Sequence, residues 1–288
     1  MTRVALFGLG TMGMGIAVNL IKNGCELFVY NRTAEKAKQI VGLGATLEST
    51  PSAAAAKADV IISVVGDDAA SQAVWLGADG GLAGARSGSI VVECSTLSIP
   101  WVRRLAAEAE SHGLHFADAA MAGSKSAAAT GSLILYVGAD VGVYQTVQPT
   151  LKCFSQEQIH FGLVGTGMTY KLINNMMAAA HVASLGEGMA LAEECGLDKE
   201  AVLKAVTSGV IANTVIKMKA PSIMNHSHDD VFFALRWMQK DLTYALQLGD
   251  ETGVPLPVAA EVREMFRLAV RKGLGSLDWS AIGEVYRR

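Results

Sequence analysis

The run Gly8-Leu9-Gly10-Thr11-Met12-Gly13 constrains this chain more than any other feature. It follows a short β-rich stretch, Arg3 to Phe7, and opens a helical pattern from Gly15 to Asn23. A lone GxGxxG is weak. Between a strand and a helix it specifies a turn that presents backbone N–H groups and the positive end of a helix to a pyrophosphate. Gly8 permits the tight turn, Gly10 lets the backbone approach the phosphates, and Gly13 lets helix pack closely on strand. The bland alternative is a glycine-rich turn that binds nothing.

The rest of the first half supports the first reading. Short β-rich runs alternate with Ala-rich amphipathic runs as far as about Gly162. Strands are expected at Arg3–Phe7, Leu27–Tyr30, Val60–Val65, Ser89–Glu93, His115–Ala117, Leu133–Val137 and Ile159–Phe161. Several are continuous apolar runs, as in strands buried on both faces. This alternation predicts an α/β fold with a Rossmann-type, doubly wound, mostly parallel sheet over residues 1–163. From Met168 to about Glu194 runs one long helical pattern ended by Gly196, the expected interdomain helix. Further helices follow, separated by Pro221, by Asn225–Asp230 and by Gly253–Pro257. Residues 164–288 are therefore expected to form an all-helical domain.

Composition excludes other classes. With 288 residues, 51% hydrophobic and 18% charged, the chain can bury a large core and shows no mark of disorder. A net charge of -3 and 6% aromatic residues argue against nucleic acid as a partner. Cys25, Cys94, Cys153 and Cys195 form no CxxC pair, which argues against a zinc site or redox pair and for a reducing, cytoplasmic setting. The apolar run Val4 to Phe7 is too short for a signal peptide. Leu172 to Ala192 carries Asn174, Asn175, His181 and Glu187, so it reads as a buried helix and not a membrane span. His226 and His228, beside Asp229 and Asp230, read as a polar loop, and no metal is expected. His181 is expected to be a packed core histidine, Met176, Met177 and Met189 core filler, and Trp279 the anchor of a C-terminal helix.

The second strand leads into Asn31-Arg32-Thr33. An NAD site places an acid here to accept from the ribose 2′-hydroxyl. With Asn31 in that place and Arg32 next to it, a guanidinium can grip a 2′-phosphate, and Lys36 adds charge one turn on. NADP(H) is therefore expected over NAD; a solvated surface arginine is the alternative. Lys171 and Asn175 lie four apart on one face of the long helix. A lysine near the positive end of a helix and partly buried is pushed toward its neutral form, and can then exchange a proton with an alkoxide or alcohol. An exposed helix lysine is the equal alternative from the residues alone.

These residues fall into a known pattern. The chain resembles, nearly end to end, the β-hydroxyacid dehydrogenases, the 3-hydroxyisobutyrate dehydrogenase-like family. The resemblance is carried by GLGTMGMGIAVNL, Glu93-Cys94-Ser95-Thr96, the stretch Asp118 to Leu133, GTGMTYKLINN and Gln239-Lys240-Asp241-Leu242. It implies that Lys171 is the catalytic acid/base and that Asn175 orients it or the substrate. It further implies that Thr96 lies by the nicotinamide, that Lys240 reaches the cofactor, and that Met121 to Lys125 hold the substrate's acid group. A homodimer, or a dimer of dimers, packed through the helical domains is also implied. Asn31-Arg32-Thr33 and Gly123-Ser124-Lys125 are most similar to NADPH-dependent glyoxylate and succinic semialdehyde reductases, and Phe233 matches a pocket phenylalanine of that subgroup. One stretch departs. The family's Pro-Val-Ser-Gly is Ala120-Met121-Ala122-Gly123 here, so a carboxylate is left to backbone N–H groups at Gly123 and Ser124, or to the side chains of Ser124 or Lys125.

The expectation is thus an NADPH-dependent reductase of small acid aldehydes, or the same enzyme oxidising a hydroxy acid. Two rivals stay open. An imine reductase shares the architecture but tends to place another residue at Lys171. A non-catalytic NADP-binding sensor or scaffold needs none of Lys171, Asn175 and Lys240.

Overall fold

A computed structural model describes residues 1–287. Eight strands are present: β1 (Arg3–Phe7), β2 (Glu26–Tyr30), β3 (Thr46–Leu47), β4 (Val60–Ser63), β5 (Ile90–Glu93), β6 (His115–Ala122), β7 (Leu133–Gly138) and β8 (Ser155–Gly162). Between them lie α1 (Thr11–Lys22), α2 (Lys38–Val41), α3 (Pro51–Ala55), α4 (Asp68–Trp75), α5 (Gly81–Gly84), α6 (Ile99–Ser111), α7 (Lys125–Thr130) and α8 (Val141–Lys152). The long α9 (Thr166–Glu194) follows, then α10 (Lys199–Ser208), α11 (Thr214–Met224), α12 (Leu235–Thr252) and α13 (Pro257–Arg271), and a final 3₁₀ segment, Trp279–Val285.

The strands form one sheet in the order β3-β2-β1-β4-β5-β6-β7-β8. All neighbours are parallel except β6 and β7, which run antiparallel. The chain reverses direction outward from β1, first toward β3 and then toward β8. That switch point is where open α/β sheets bind ligands at the carboxyl ends of their strands. Val4, Leu6, Val29, Ile62 and Val92 are fully buried, as expected of strands covered on both faces.

β4 stops at Ser63, two residues short of the expected Val65, and three other strands differ more. The two-residue β3 pairs with β2 through Phe28 and Val29, a pairing too short to leave a pattern. β6 continues five residues past Ala117 because its Ala-rich end is held in antiparallel register, with Ala122 opposite Ile134. Alanine has little intrinsic strand preference, so only the neighbour reveals this extension. β8 starts at Ser155, well before Ile159, where pairing with β7 begins.

The chain divides into two compact units, Met1–Lys171 and the residues from Leu172 onward. In the second unit a core of Val182, Leu235, Leu242, Phe266, Trp279 and Ile282 holds the helices together. Pro221 lies inside α11 and does not separate two helices. Burial of Ile216, Ala220, Ile223 and Met224 outweighs the backbone hydrogen bond that the proline removes. Trp279 is buried, but the segment it anchors is 3₁₀ and not α-helical. His181 is exposed, which corrects its expected place in the core. Its Nδ1 lies 3.5 Å from Asn213 Nδ2. No helix among the described residues is long and apolar enough to cross a membrane.

Candidate active site

The phosphate loop is built from β1, the turn after it, and α1. Gly8 has φ +95°, and a Cβ there would come within 2.2 Å of the Val64 carbonyl oxygen. A Cβ on Gly13 would sit 2.0 Å from the Gly8 oxygen, so only glycine allows α1 to start this close to the turn. Gly10 faces open space: nothing lies within 4 Å of where its Cβ would be. Gly10 also caps α1 without a side-chain acceptor, and no acid occupies the helix's first turn. The loop thus leaves an open, electropositive cradle that fits a dinucleotide's phosphates. Leu9 is buried, Met12 part-buried and Thr11 exposed.

Asn31 has a task the sequence did not disclose. Its Oδ1 accepts from Leu9 N at 2.8 Å, and its Nδ2 donates to Thr33 O at 2.8 Å. The side chain expected near the ribose therefore clamps the phosphate loop to the end of β2. Arg32, Thr33 and Lys36 are exposed beside it. Among the described residues no carboxylate pairs with Arg32 or Lys36, so both charges face solvent.

After β5 the chain turns through Cys94 to Thr96. Glu93 is fully buried at this turn. Its Oε1 accepts from Ser95 N at 2.9 Å, and its Oε2 accepts from Ser71 Oγ and Trp75 Nε1, each at 2.8 Å. Burial raises its pKa above the ordinary carboxyl value, with these donors opposing. Ser95 Oγ in turn accepts from Val65 N at 2.8 Å. Part-buried Thr96 thus lies on the turn after β5, which these bonds tie to the end of β4.

Met121 and Ala122 end β6, and Gly123 follows at φ +130°. Ser124 caps α7: its Oγ accepts from Ala127 N at 3.2 Å and lies 2.7 Å from Ser126 Oγ. That hydroxyl is therefore engaged within the protein. Lys125 is exposed.

Asp118 was not singled out in the sequence, yet it fixes the start of α9. It is fully buried in β6. Its Oδ1 accepts from Gly165 N at 2.6 Å and its Oδ2 from Met168 N at 2.7 Å. Those donors favour the carboxylate; burial opposes them and prevails, raising the pKa to about 7. The available sequence signal was an acid in an otherwise small, apolar strand. Lys171, part-buried, follows in the second turn of α9, next to Tyr170, which stacks on Phe161.

In the second unit Asn175, one turn beyond Lys171, is buried. Its Nδ2 donates to Asp241 Oδ2 at 2.7 Å. Asp241 is also buried, and its Oδ1 lies 3.0 Å from Lys240 Nζ. Lys240 Nζ sits 4.9 Å from the centre of the Tyr244 ring. Phe233 is part-buried and meets Trp279 edge to face. Its backbone is positioned by Asp278, whose Oδ2 accepts from Phe232 N and Phe233 N at 3.0 and 3.3 Å. Asp278 itself forms a buried ion pair with Lys219 at 2.8 Å. A cavity of about 520 Å³ in this unit is lined by His181, Val206, Val210, Ile211 and Asn213, among others. None of Asn175, Phe233 and Lys240 lines it.

His226 and His228 sit in the expected polar loop, but His228 is buried. Its two ring nitrogens meet Ser280 Oγ and Glu284 Oε1 at 2.9 and 3.0 Å, pinning the loop to the final 3₁₀ segment.

A mostly parallel sheet with an open phosphate loop at its switch point, followed by a helical unit, is the architecture of many dinucleotide-dependent oxidoreductases. Comparison with known proteins narrows the class. Residues 3–167 match the family model described as the NAD binding domain of 6-phosphogluconate dehydrogenase. Residues 165–286 match that described as the NAD-binding region of NADP-dependent 3-hydroxyisobutyrate dehydrogenase. The chain belongs to the β-hydroxyacid dehydrogenase family, the 3-hydroxyisobutyrate dehydrogenase-like proteins, and is an NAD(P)-dependent oxidoreductase. It is 33% identical to glyoxylate/succinic semialdehyde reductase 1 of Arabidopsis thaliana, over 99% of this chain and 98% of the relative. It is 32% identical to the chloroplastic glyoxylate/succinic semialdehyde reductase 2 of the same plant, over 99% and 79%. Among solved structures, a Mycobacterium tuberculosis 3-hydroxyisobutyrate dehydrogenase is similar over the full length of both chains, with TM-score 0.90 and 27% identity.

Proposed function

We propose that the protein uses NADPH to reduce a small acid aldehyde, of the semialdehyde or glyoxylate type, to the hydroxy acid. One observation carries the reading: Lys171 and Asn175 stand one turn apart on α9, and the Asn175 amide is locked onto Asp241. A lysine with a fixed amide beside it on one helix face is the pairing a proton donor and its orienting partner need. The names of the Arabidopsis relatives support the substrate class.

Backbone N–H groups of Gly8 to Gly13 and the start of α1 hold the cofactor's phosphates. Arg32 and Lys36 hold a 2′-phosphate, while Thr96 and Lys240 bind nearer the nicotinamide. The bound nicotinamide supplies the hydride. Lys171 delivers a proton to the carbonyl oxygen as it gains electrons, and takes it back in the reverse direction. Asn175 orients the lysine or that oxygen. With alanine at Ala122 and the Ser124 hydroxyl engaged in its cap, the substrate's carboxylate is recognised chiefly by backbone N–H groups at Gly123 and Ser124 and by Lys125, with Phe233 shaping the apolar side.

The test is NADPH oxidation against a panel of acid aldehydes, neutral aldehydes and cyclic imines, with Lys171→Ala beside the wild type. Turnover of acid aldehydes is expected, with NADPH binding kept and turnover lost by roughly 10²–10⁴-fold in the variant. Turnover of imines alone, or a fully active Lys171→Ala, overturns the reading. Binding of NADPH with no turnover of any carbonyl supports a sensor instead.

A further inference from the structure

Two cysteines that are remote in sequence meet at the edge of the first unit. Cys25 lies in the turn between α1 and β2, and Cys153 caps the end of α8. Both are part-buried and pack on the same apolar core. Both line one cavity of about 280 Å³, together with Asn23, Gly24, Pro149 and Thr150. The backbones are already tied, since Asn23 Nδ2 donates to Cys153 O at 3.2 Å. At the wall of this cavity Cys153 Sγ donates to Pro149 O at 3.5 Å.

We propose that Cys25 and Cys153, which line one cavity, form a peroxide-oxidised, reversible thiol–disulfide pair. The proposal departs from the expectation drawn from cysteine spacing, which considers only residues close in sequence. An asymmetry between the thiols makes Cys153 the one expected to react first. Interaction with Cys25 lowers the Cys153 pKa to about 7, while Cys25 is raised. The thiolate is the nucleophile, and partial exposure to a cavity admits a small oxidant. Cys94 offers no rival. It is buried, and burial with the charges of Glu93 and Asp118 holds its thiol well above the ordinary value. Cys195 is exposed beyond the end of α9, in the other unit.

The chemistry balances with a hydroperoxide as oxidant. The Cys153 thiolate attacks the peroxide's terminal oxygen and the O–O bond breaks. The sulfur loses two electrons to become a sulfenic acid, and the peroxide leaves as an alcohol or water after taking a proton. The Cys25 sulfur then attacks the sulfenic sulfur. The S–S bond forms, the S–O bond breaks, and hydroxide departs as water with the Cys25 proton. A small dithiol returns both thiols and is itself oxidised to a cyclic disulfide. The bridge joins the end of α1, whose start carries the phosphate loop, to the end of α8.

The test is covalent and independent of the catalytic reading. The native protein is treated with hydrogen peroxide, alkylated in denaturant, digested and mapped by mass spectrometry. The expected result is a linked Cys25–Cys153 peptide, loss of two of the four thiols, and full recovery with dithiothreitol. In Cys25→Ser the sulfenic acid on Cys153 is expected to be trapped by dimedone. Cys153→Ser is expected to slow peroxide consumption at least about tenfold. Four surviving thiols, a link between any other pair, or oxidation confined to Cys195 overturns the proposal. So does absence of a dimedone adduct on Cys153 in Cys25→Ser.

Discussion

Asn175 donates from Nδ2 to Oδ2 of Asp241 at 2.7 Å, and both side chains are buried. The other oxygen of the same carboxylate pairs with Lys240 Nζ at 3.0 Å. One buried acid thus orients two of the residues proposed to act in the reaction. Asp241→Ala is expected to cost about 1–3 kcal/mol of stability by stranding the Asn175 amide. It is also expected to lower kcat/KM roughly 100-fold through loss of alignment. In a double-mutant cycle with Asn175→Ala, urea denaturation should show a coupling of at least about 0.5 kcal/mol. Strictly additive losses would mean that the bond contributes nothing.

Arg32 stands exposed at the end of β2 with no carboxylate against it among the described residues. Arg32→Asp should weaken NADPH about 10²-fold, as expected from loss of charge-assisted bonds to a phosphate, and NADH far less. Fluorescence titration of both cofactors checks this. Equal losses for the two would remove the 2′-phosphate from Arg32.

Asp118 carries a pH dependence of definite sign. Its folded pKa is raised from the ordinary 3.8 to about 7, so between these values the folded chain binds a proton that the unfolded chain does not. This group's contribution to stability is complete below about pH 4 and is lost as pH rises through about 7. Wild-type unfolding free energy, measured against Asp118→Asn, should fall by up to about 1.4 kcal/mol per pH unit across that window. Parallel curves for the two proteins would contradict the assignment.

The Lys219–Asp278 pair is buried on both sides, at 5% and 2% side-chain exposure. Removing one partner leaves the other charge uncompensated in an apolar setting. Lys219→Met should therefore cost about 3–5 kcal/mol. Because Asp278 also holds the Phe232 and Phe233 amides, the same variant should raise KM for the aldehyde more than it lowers kcat. Guanidinium denaturation and steady-state kinetics check the two parts. A loss below about 0.5 kcal/mol would show that the pair is replaceable.

The sequence by itself determined whatever depends on near neighbours. The phosphate loop was legible because a strand, three spaced glycines and a helix are consecutive. The Lys171–Asn175 pairing was legible because residues four apart share a helix face. The buried strands of the sheet were legible as apolar runs; the Ala-rich end of β6 was not, because its partner β7 supplies the order. Tertiary structure alone decided the pairings between distant residues. Asp241 lies 66 residues from the Asn175 that it holds, and Asp118 lies 47 and 50 residues from the amides at the start of α9. Asn31 reaches back 22 residues to clamp the phosphate loop, and Cys25 finds Cys153 across the edge of the core. Turn and helix geometry are set by local backbone sterics. Which buried polar group meets which is set only when the layers pack, because burial then obliges each donor and acceptor to find its partner.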